Sequence, residues 1–296
     1  MEAYWKVSLE EEFKRNKELK QDDLTLIKDW MSKTPHLPKL IDVQIVLFLR
    51  ACNFSLERTK EVIDLNYTMR TRLPEMFADR DLKRDWLQKA MANMNVTFMP
   101  NRDKHGNVVV LYQIKKMDIS NFNMEEYAKL TFMLQDMSNC MLGSAPGYVF
   151  IQDLQNLTFS EILQCPISST SNMLKFTQEA SNCVIKGLHF INGGMVIEKL
   201  FALMNPFLKP DVKKLIFVHS TVDSMVEAVG KEVVPSDYGG TGPSWKELNE
   251  KTIQDLNEHQ QYFFEEMKQR VVEKKRTANE LKEYGIQGSF KKLELD

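Results

Sequence analysis

Between residues 96 and 220, short apolar runs alternate with segments of helical periodicity, and this alternation constrains the fold more than any other feature. The apolar runs are rich in Val, Ile and Phe and short enough to be strands. Parallel strands need a crossover of a dozen or more residues, usually a helix. The order therefore predicts βαβ units and a mostly parallel sheet. The predicted strands are 96–99, 107–114, 147–154, 188–192 and 214–220, and the longer predicted helices are 124–141, 168–180 and 195–208.

Helical sequence flanks this region on both sides. In the first part of the chain, Ser8 and Glu11 form a capping-box pattern, and Ser55 is placed as an N-cap before a second apolar stripe. Beyond the sheet region, a polar helix is predicted from Ser244 to about Tyr284. We therefore divide the chain into a helical module (1–90), an α/β domain (91–250) and a C-terminal polar helix and tail (251–296).

Composition excludes several classes of function. The net charge of −2 provides no global basic field, so we expect no nucleic-acid partner. No run approaches the roughly 18 apolar residues of a membrane span, and the first residues, MEAYWKVSLEEEFK, lack a signal-peptide pattern. The four cysteines are scattered without CxxC pairs, which favours reduced thiols. These features predict a cytoplasmic protein, with a monomer as the default oligomeric state.

The sequence contains no recognisable catalytic or metal motif. GGTG at 239–242 is not followed by the Lys and Ser or Thr of a phosphate loop. The five histidines form no H-x-x-x-H pair for zinc. Since no nucleophile, base and orienting residue can be assembled, we expect a binding protein rather than an enzyme, with no metal and no cofactor.

Three polar residues on predicted strands allow two interpretations each. His189 and His219 are either a polar pair lining a site or satisfied structural histidines. Asp153 ends its strand, where open α/β sheets usually contact ligands, but a carboxylate there can equally cap the following turn.

The predicted helix at 195–208 is more apolar than a connecting helix requires. At 100° per residue, Glu198, Lys199 and Asn205 fall on one narrow arc. The apolar side chains cover an opposite arc of about 160°, wider than the ~100° stripe of an ordinary surface helix. The segment therefore needs apolar surroundings on more than one side. These apolar side chains are Val196, Ile197, Leu200, Phe201, Leu203, Met204, Phe207 and Leu208.

Several stretches together resemble the CRAL-TRIO family. They are LFLRACNFSLERTKEVI, GYVFIQDL, IKGLHFINGGMVIEKLFALMNPFL and the DYGG that follows Val-Pro. The resemblance covers about residues 20–250 in one order, and it is nearest to the retinaldehyde-binding and α-tocopherol-transfer group, in the diverged form typical of insect lineages. It implies an N-terminal helical module followed by an α/β sandwich that encloses an apolar cavity for one lipophilic molecule.

The resemblance implies that the cavity lies between the sheet and its covering helices. On the third predicted strand, Tyr148, Phe150 and Gln152 share one face by alternation, and an amide at Gln152 needs a partner such as a ligand hydroxyl or carbonyl. Plain core packing is the alternative for each apolar candidate. The candidate ligand-binding residues are Tyr127, Leu130, Leu134, Met137, Tyr148, Phe150, Gln152, Phe159, Leu163, Met173, Phe176, Leu188, Phe190, Ile197, Leu200, Phe201 and Met204.

The resemblance also implies that residues 195–208, which we call the gate segment, move and enter membranes. Gly193 and Gly194 stand where a hinge is expected, after Asn192. The candidate membrane residues are Gly193, Gly194, Val196, Phe207 and Leu208, and the candidate contacts to anionic lipid are Lys186, Lys209, Lys213 and Lys214. Of the positions that match the basic cluster of the tocopherol carrier, Lys186 is basic, whereas Val184, Asp211 and Leu215 are not.

Two functions follow from the resemblance. The first is an intracellular carrier that binds one retinoid, tocopherol, carotenoid or other isoprenoid and exchanges it with membranes through the gate segment. The second is a phosphoinositide-responsive membrane-trafficking adaptor, in which 268–276 is a docking face. In both, the partner surface is a peripheral membrane, anionic or phosphoinositide-containing, with reversible association.

Overall fold

A computed structural model describes residues 1–116 and 122–276. The chain begins with short helices whose apolar stripes pack on one another, with Leu24, Ile27, Leu49 and Ile63 fully buried between them. The last of these helices leads directly into the first strand. The helices are α1 (Leu9–Arg15), α2 (Gln21–Ser32), α3 (Asp42–Ala51), α4 (Leu56–Arg72), α5 (Pro74–Phe77) and α6 (Asp85–Asn93).

The strands form one five-stranded sheet in the order β1-β2-β3-β4-β5. The first pair is antiparallel and the other three pairs are parallel, which confirms the predicted α/β class and the mostly parallel sheet. The strands are β1 (Met94–Phe98), β2 (Val108–Ile114), β3 (Tyr148–Asp153), β4 (Ile185–Ile191) and β5 (Ile216–Val218).

Helices cover both faces of the sheet. Because side chains alternate along a strand, Val149 and Ile151 face one layer, while Tyr148 and Phe150 face the other. The helices that follow the second strand are α7 (Met124–Leu142), α8 (Phe159–Gln164), α9 (Ile167–Lys175), α10 (Val196–Met204), α11 (Pro210–Lys213), α12 (Val222–Val229), α13 (Trp245–Glu258) and α14 (Gln260–Glu266). The layer that Val149 and Ile151 face contains α12 and α13, and the other layer is formed by α7 with α8, α9 and α10.

Side-chain caps fix the starts of several helices, and those at Ser8, Ser55 and Ser244 confirm the predicted starts. Ser8 with Glu11, Thr158 with Glu161 and Ser244 with Glu247 each form the reciprocal hydrogen bonds of a capping box. The side chains of Ser55 and Asn123 likewise accept from backbone N–H groups of α4 and α7. Each cap satisfies donors that the first helical turn leaves without partners.

Two predicted helices differ from the structure. The single helix expected at 168–180 is α9 followed by a π-helical turn, Phe176–Ala180. The polar helix expected to continue from Ser244 to Tyr284 breaks at His259, whose Nδ1 lies 2.7 Å from the carbonyl of Asp255, and α14 then ends at Glu266. The part of that prediction beyond residue 276 lies outside the described residues.

A buried ionic cluster fixes α7, which forms one cavity wall, against the helical module. Arg70 of α4 donates to both carboxylate oxygens of Asp136 in α7, at 2.7 and 2.9 Å. Arg80 donates to the same carboxylate and, with Arg70, to Glu266 of α14. These arginines hold the pKa of Asp136 low, at about 2, against the opposing effect of burial. Removal of one partner would leave a buried charge uncompensated, so the cluster holds these elements in one arrangement.

Candidate ligand cavity

A cavity of about 260 Å³ lies between the sheet and the helices α7, α9 and α10. Its floor is the sheet face that carries Tyr148, Phe150 and Gln152, as strand alternation predicts. Strand pairing extends this floor sideways, because Phe150 is aligned with Val110 on β2 and Leu188 on β4. The wall is mainly aliphatic and aromatic, so the interior is suited to an apolar molecule.

The gate segment forms part of the cavity roof. None of the nine residues of α10 is fully buried, although the helix is strongly apolar. Leu200, Leu203 and Met204 line the cavity, and Phe201 packs edge-on against Phe190 of β4, with the ring centroids 5.3 Å apart. Leu208, beyond the helix, also lines the cavity and is buried. The inner apolar face is therefore used at the roof, while the outer face remains accessible.

The chain turns sharply before α10. Asn192 has φ of +57° and Gly194 has φ of +45°, both in the left-handed region. A side chain at Gly193 would meet Ile197 and Leu154 at 3.1–3.3 Å, so a small residue is required for the close approach of the roof to the sheet. Asn192 is held by a 2.9 Å hydrogen bond that its amide donates to Asp153 Oδ1. The two glycines thus permit a turn that Asn192 anchors.

The polar groups of the cavity wall differ in their hydrogen bonding. The amide nitrogen of Gln135 donates to Ser181 at 2.6 Å and to Asn182 at 3.1 Å. The hydroxyl of Tyr148 donates to Asn139 at 3.0 Å. The Gln152 amide, by contrast, hydrogen-bonds to none of the residues in 1–116 and 122–276, although it lies half-buried on the central strand. Its hydrogen-bond donors and acceptor are therefore without partners among the described residues, in a largely apolar cavity.

Tyr112 lies beside Gln152 in the register of the parallel strands β2 and β3. Burial raises the pKa of the Tyr112 phenol far above its ordinary range, while a hydrogen bond with Thr131 acts in the opposite direction. The phenol is therefore neutral and retains its proton. Gln152, Tyr112 and Thr131 all line the cavity, so polar groups of the sheet and of α7 meet on this part of its wall.

Ten of the seventeen predicted ligand-binding residues line this cavity and seven do not. Leu130 and Met137 are buried in the core of α7 and its neighbours, and Phe176 packs against Phe77 and Phe132. Ile197 and Phe201, on the inner side of the gate segment, pack against the cluster of Leu154 and Phe190 beside the cavity. Phe159 and Leu163 are exposed on α8. The ten lining residues are Tyr127, Leu134, Tyr148, Phe150, Gln152, Met173, Leu188, Phe190, Leu200 and Met204.

Hydrophobic periodicity missed the cavity-facing side of α7. That side includes Thr131, Gln135 and Ser138, which lie beside the apolar stripe used for the prediction. The most apolar stripe of a helix identifies its core contact, whereas a wall that faces a cavity tolerates polar residues. Leu157 and Ile162, after β3, were also missed, although their position beyond a strand end was a usable signal.

The two histidines are a structural pair. His189 Nδ1 lies 2.9 Å from His219 Nε2, the rings are within 11° of parallel, and His189 also stacks on Phe217. Neither histidine lines the cavity. Burial, with a smaller contribution from His219, lowers the pKa of His189 to about 4, so it is neutral at pH 7.

Asp153 connects three segments at the end of β3. Its carboxylate accepts hydrogen bonds from the hydroxyl of Tyr238 at 2.5 Å and from the amides of Gln113 and Asn192 at 3.1 and 2.9 Å. It also accepts from the backbone N–H of Gln155, as a turn cap does. The structure thus favours the capping interpretation and extends it, because the same carboxylate holds the turn before the gate segment.

The four candidate lysines are on the surface but are not equivalent. Lys209 forms a 3.1 Å ion pair with Glu179, and Lys214 forms a 2.9 Å pair with Asp211. Lys186 and Lys213 are exposed and form no ion pair with residues of the described ranges. Within those ranges, no group of three or more acidic, histidine or cysteine side chains is arranged to hold a metal ion, and no helix is long and apolar enough to cross a bilayer.

Comparison with known proteins identifies the architecture first. The crystal structure of Sfh5 superposes with a TM-score of 0.50 over 78% of this chain and 92% of that chain, at 14% sequence identity, which shows a shared fold. A family profile described as "CRAL/TRIO domain" matches residues 92–240, and one described as "Pinta-like, UBA domain" matches residues 16–87.

The chain belongs to the CRAL-TRIO family of lipid-binding and lipid-transfer proteins. It is 25% identical to the human alpha-tocopherol transfer protein-like protein over 235 aligned residues, and this alignment covers 78% of this chain and 68% of the human protein. It is 23% identical over 238 residues to human clavesin-2, with 79% and 73% coverage.

Proposed function

We propose that this protein carries one hydrophobic small molecule in its cavity and exchanges that molecule with membranes when the gate segment opens. The observation that carries this proposal is an apolar cavity of about 260 Å³ beneath the gate segment, which the residues of 1–116 and 122–276 leave unfilled. Protein interiors normally pack without voids larger than a water molecule, so a space of this size is costly unless a ligand fills it.

The cavity size indicates what it can accept. An apolar cavity of about 150 Å³ stays dry and holds a benzene ring, so this larger space has room for more than one ring or for a branched chain. We infer that the ligand is a retinoid, tocopherol, carotenoid or other isoprenoid, and that the cavity encloses all or part of it. Each fully buried side-chain-sized apolar group contributes about 1.5–3 kcal/mol, which makes binding favourable without polar contacts.

Gln152 is placed to hydrogen-bond to the polar end of a ligand in the cavity. Its amide offers two donors and one carbonyl acceptor, and it has no partner among the described residues. A ligand hydroxyl or carbonyl beside Gln152 would satisfy a group that is otherwise costly in apolar surroundings. We therefore favour an isoprenoid that ends in an alcohol, phenol or aldehyde over a plain hydrocarbon.

Exposed apolar side chains around the gate segment support membrane contact. Met195, immediately before α10, is 84% exposed, and Leu163 and Ile167, in the neighbouring helices α8 and α9, are 82% and 66% exposed. Both helices contact α10. Large apolar side chains grouped in this way are suited to insertion into the headgroup region of a bilayer. Lys186 and Lys213 would add attraction to anionic lipid.

The trafficking-adaptor alternative has less support. Two of the four candidate lysines are occupied by carboxylates of the same chain, and the cavity has no role in recognition by 268–276. In that segment, Arg270 donates to the carbonyl of Phe77, and the backbone N–H of Val271 donates to Thr71, so part of this face is used within the chain.

Transfer of retinol to vesicles tests the carrier proposal. Protein loaded with retinol is mixed with phosphatidylcholine vesicles, and retinol fluorescence reports its departure. Met195→Asp combined with Leu163→Asp should slow transfer at least tenfold with unchanged retinol affinity, since both side chains are exposed and outside the cavity wall. Leu26→Asp is the matched control, because Leu26 is 51% exposed on α2, in the N-terminal helical module. Equal transfer by all three proteins would exclude this surface.

A further inference from the structure

The π-helical turn after α9 lies against the end of the gate segment. This turn, Phe176–Ala180, inserts one residue into the helical repeat. Such insertions interrupt regular backbone hydrogen bonding and occur often at functional sites. Two consecutive residues of the turn, Gln178 and Glu179, contact the chain at 207–209.

Gln178 uses both ends of its amide on the backbone that follows α10. Its Nε2 donates to the carbonyl of Phe207 at 3.0 Å, and its Oε1 accepts from the N–H of Lys209 at 2.8 Å. The same Nε2 also donates to the carbonyl of Leu174 within its own helix, at 2.9 Å, which fixes the side chain in place. Three hydrogen bonds thus join one side chain to two segments that are about thirty residues apart in sequence.

A second contact lies beside the first. Lys209 Nζ and Glu179 Oε1 form the 3.1 Å ion pair described above, with both side chains partly exposed. An exposed pair of this kind contributes little by itself, since solvent screens it. Gln178 is therefore the stronger of the two connections, and the ion pair is auxiliary.

The two ends of the gate segment are held differently. At its start, Gly193 and Gly194 allow backbone rotation, and Gly194 has open space where a side chain would lie. At its end, the backbone is bonded to Gln178. A segment with a permissive start and a fastened end opens by release of the fastened end.

We propose that Gln178 is a positioning residue that holds the C-terminal end of the gate segment closed and thereby sets the rate at which ligand enters and leaves. This inference rests on the proposed function, in which the gate segment is the route of exchange. We call the hydrogen bonds from Gln178 to the backbone at 207–209 the catch. If the open state remains rare, weakening the catch speeds ligand association and dissociation by the same factor, so the gate itself leaves the dissociation constant unchanged. A residue that acted only through contact with the ligand would change mainly the dissociation rate and leave the association rate unchanged.

Hydrogen–deuterium exchange of the ligand-free protein tests the catch without reference to any ligand. Gln178→Met keeps the volume of a side chain that also lines the cavity but removes its hydrogen bonds. Loss of two bonds of ordinary strength should raise the exchange rate of peptides from 196–208 by roughly tenfold to a hundredfold. Glu179→Gln should raise it about two- to fivefold. Gln164→Met, at an exposed position on α8, is the matched control and should leave exchange unchanged.

Retinol kinetics then separate the catch from the carrier proposal. In Gln178→Met, the association and dissociation rates of retinol should both rise about tenfold or more. Unchanged exchange at 196–208 in a folded Gln178→Met protein would overturn the catch, as would an unchanged association rate. If retinol fails to bind the original protein, the retinoid form of the carrier proposal fails, and the exchange experiment still decides the catch.

Discussion

Replacement of Gln152 by leucine should weaken the binding of an isoprenoid alcohol much more than that of the matching hydrocarbon. The amide has no partner among the described residues and lines a largely apolar cavity, so a ligand hydroxyl beside it would supply its hydrogen bond. One such bond is worth about 0.5–1.5 kcal/mol, or roughly a two- to twelvefold change in the dissociation constant. The same substitution removes a polar group from apolar surroundings, so the free energy of unfolding of the ligand-free protein should rise by about 1 kcal/mol.

The assay compares phytol with phytane, which share a carbon skeleton and differ by the terminal hydroxyl and one double bond. Each competes against bound retinol, and the ratio of their dissociation constants is measured within each protein. Gln135→Leu is the matched control, because Gln135 also lines the cavity but its amide nitrogen already donates to Ser181 and Asn182. The reasoning is refuted if Gln152→Leu keeps the original ratio, or if Gln135→Leu changes it equally.

Three further predictions concern stability and membrane binding. The free energy of unfolding should fall as pH falls from about 6.5 towards 4, because His189 is protonated in the unfolded chain at a higher pH than in the folded protein. In urea titrations, His189→Gln should make the free energy of unfolding less dependent on pH over this range. An unchanged pH dependence would contradict the lowered pKa of His189. Gly194→Ala should lower the free energy of unfolding by about 1 kcal/mol in the same titrations, because alanine is disfavoured at a φ of +45° even though its side chain would lie in open space. A change near zero would show that the left-handed turn is not retained. Lys213→Gln should weaken binding to phosphatidylserine vesicles about fivefold. Lys214→Gln should weaken it less, because Lys214 already pairs with Asp211. Equal effects of the two variants in vesicle flotation would contradict this difference between the lysines.

The order of strands and helices was predictable because it follows from local patterns. Runs such as 107–114 and 147–154 are apolar on both faces, as a strand covered by helices on both sides must be. They correspond to Val108–Ile114 and Tyr148–Asp153 in the structure. The caps were equally visible, because a Ser or Thr three residues before Glu carries its own hydrogen-bonding partner. Patterns of this kind depend on few neighbours, so sequence alone identifies them.

The outline of the cavity was only partly predictable. On α7, spacing selected Tyr127, Leu130, Leu134 and Met137, of which only Tyr127 and Leu134 line the cavity. A stripe identifies the buried face, whereas the border between packed core and cavity depends on rotations of whole helices. The catch at Gln178 was not predictable, because its partners are backbone atoms near residue 208 and leave no periodic signal. The π-helical turn that positions it has no sequence pattern that distinguishes it from the end of α9.

In the carrier function proposed above, the space beneath the gate segment encloses one lipophilic molecule. Native mass spectrometry of the full chain, purified from its natural source without detergent, measures whether such a molecule is bound. A single added mass per chain is expected, and solvent extraction should then identify it as an isoprenoid with one polar end. A bare chain mass that acquires no retinoid, tocopherol or phytol on incubation would rule out this function.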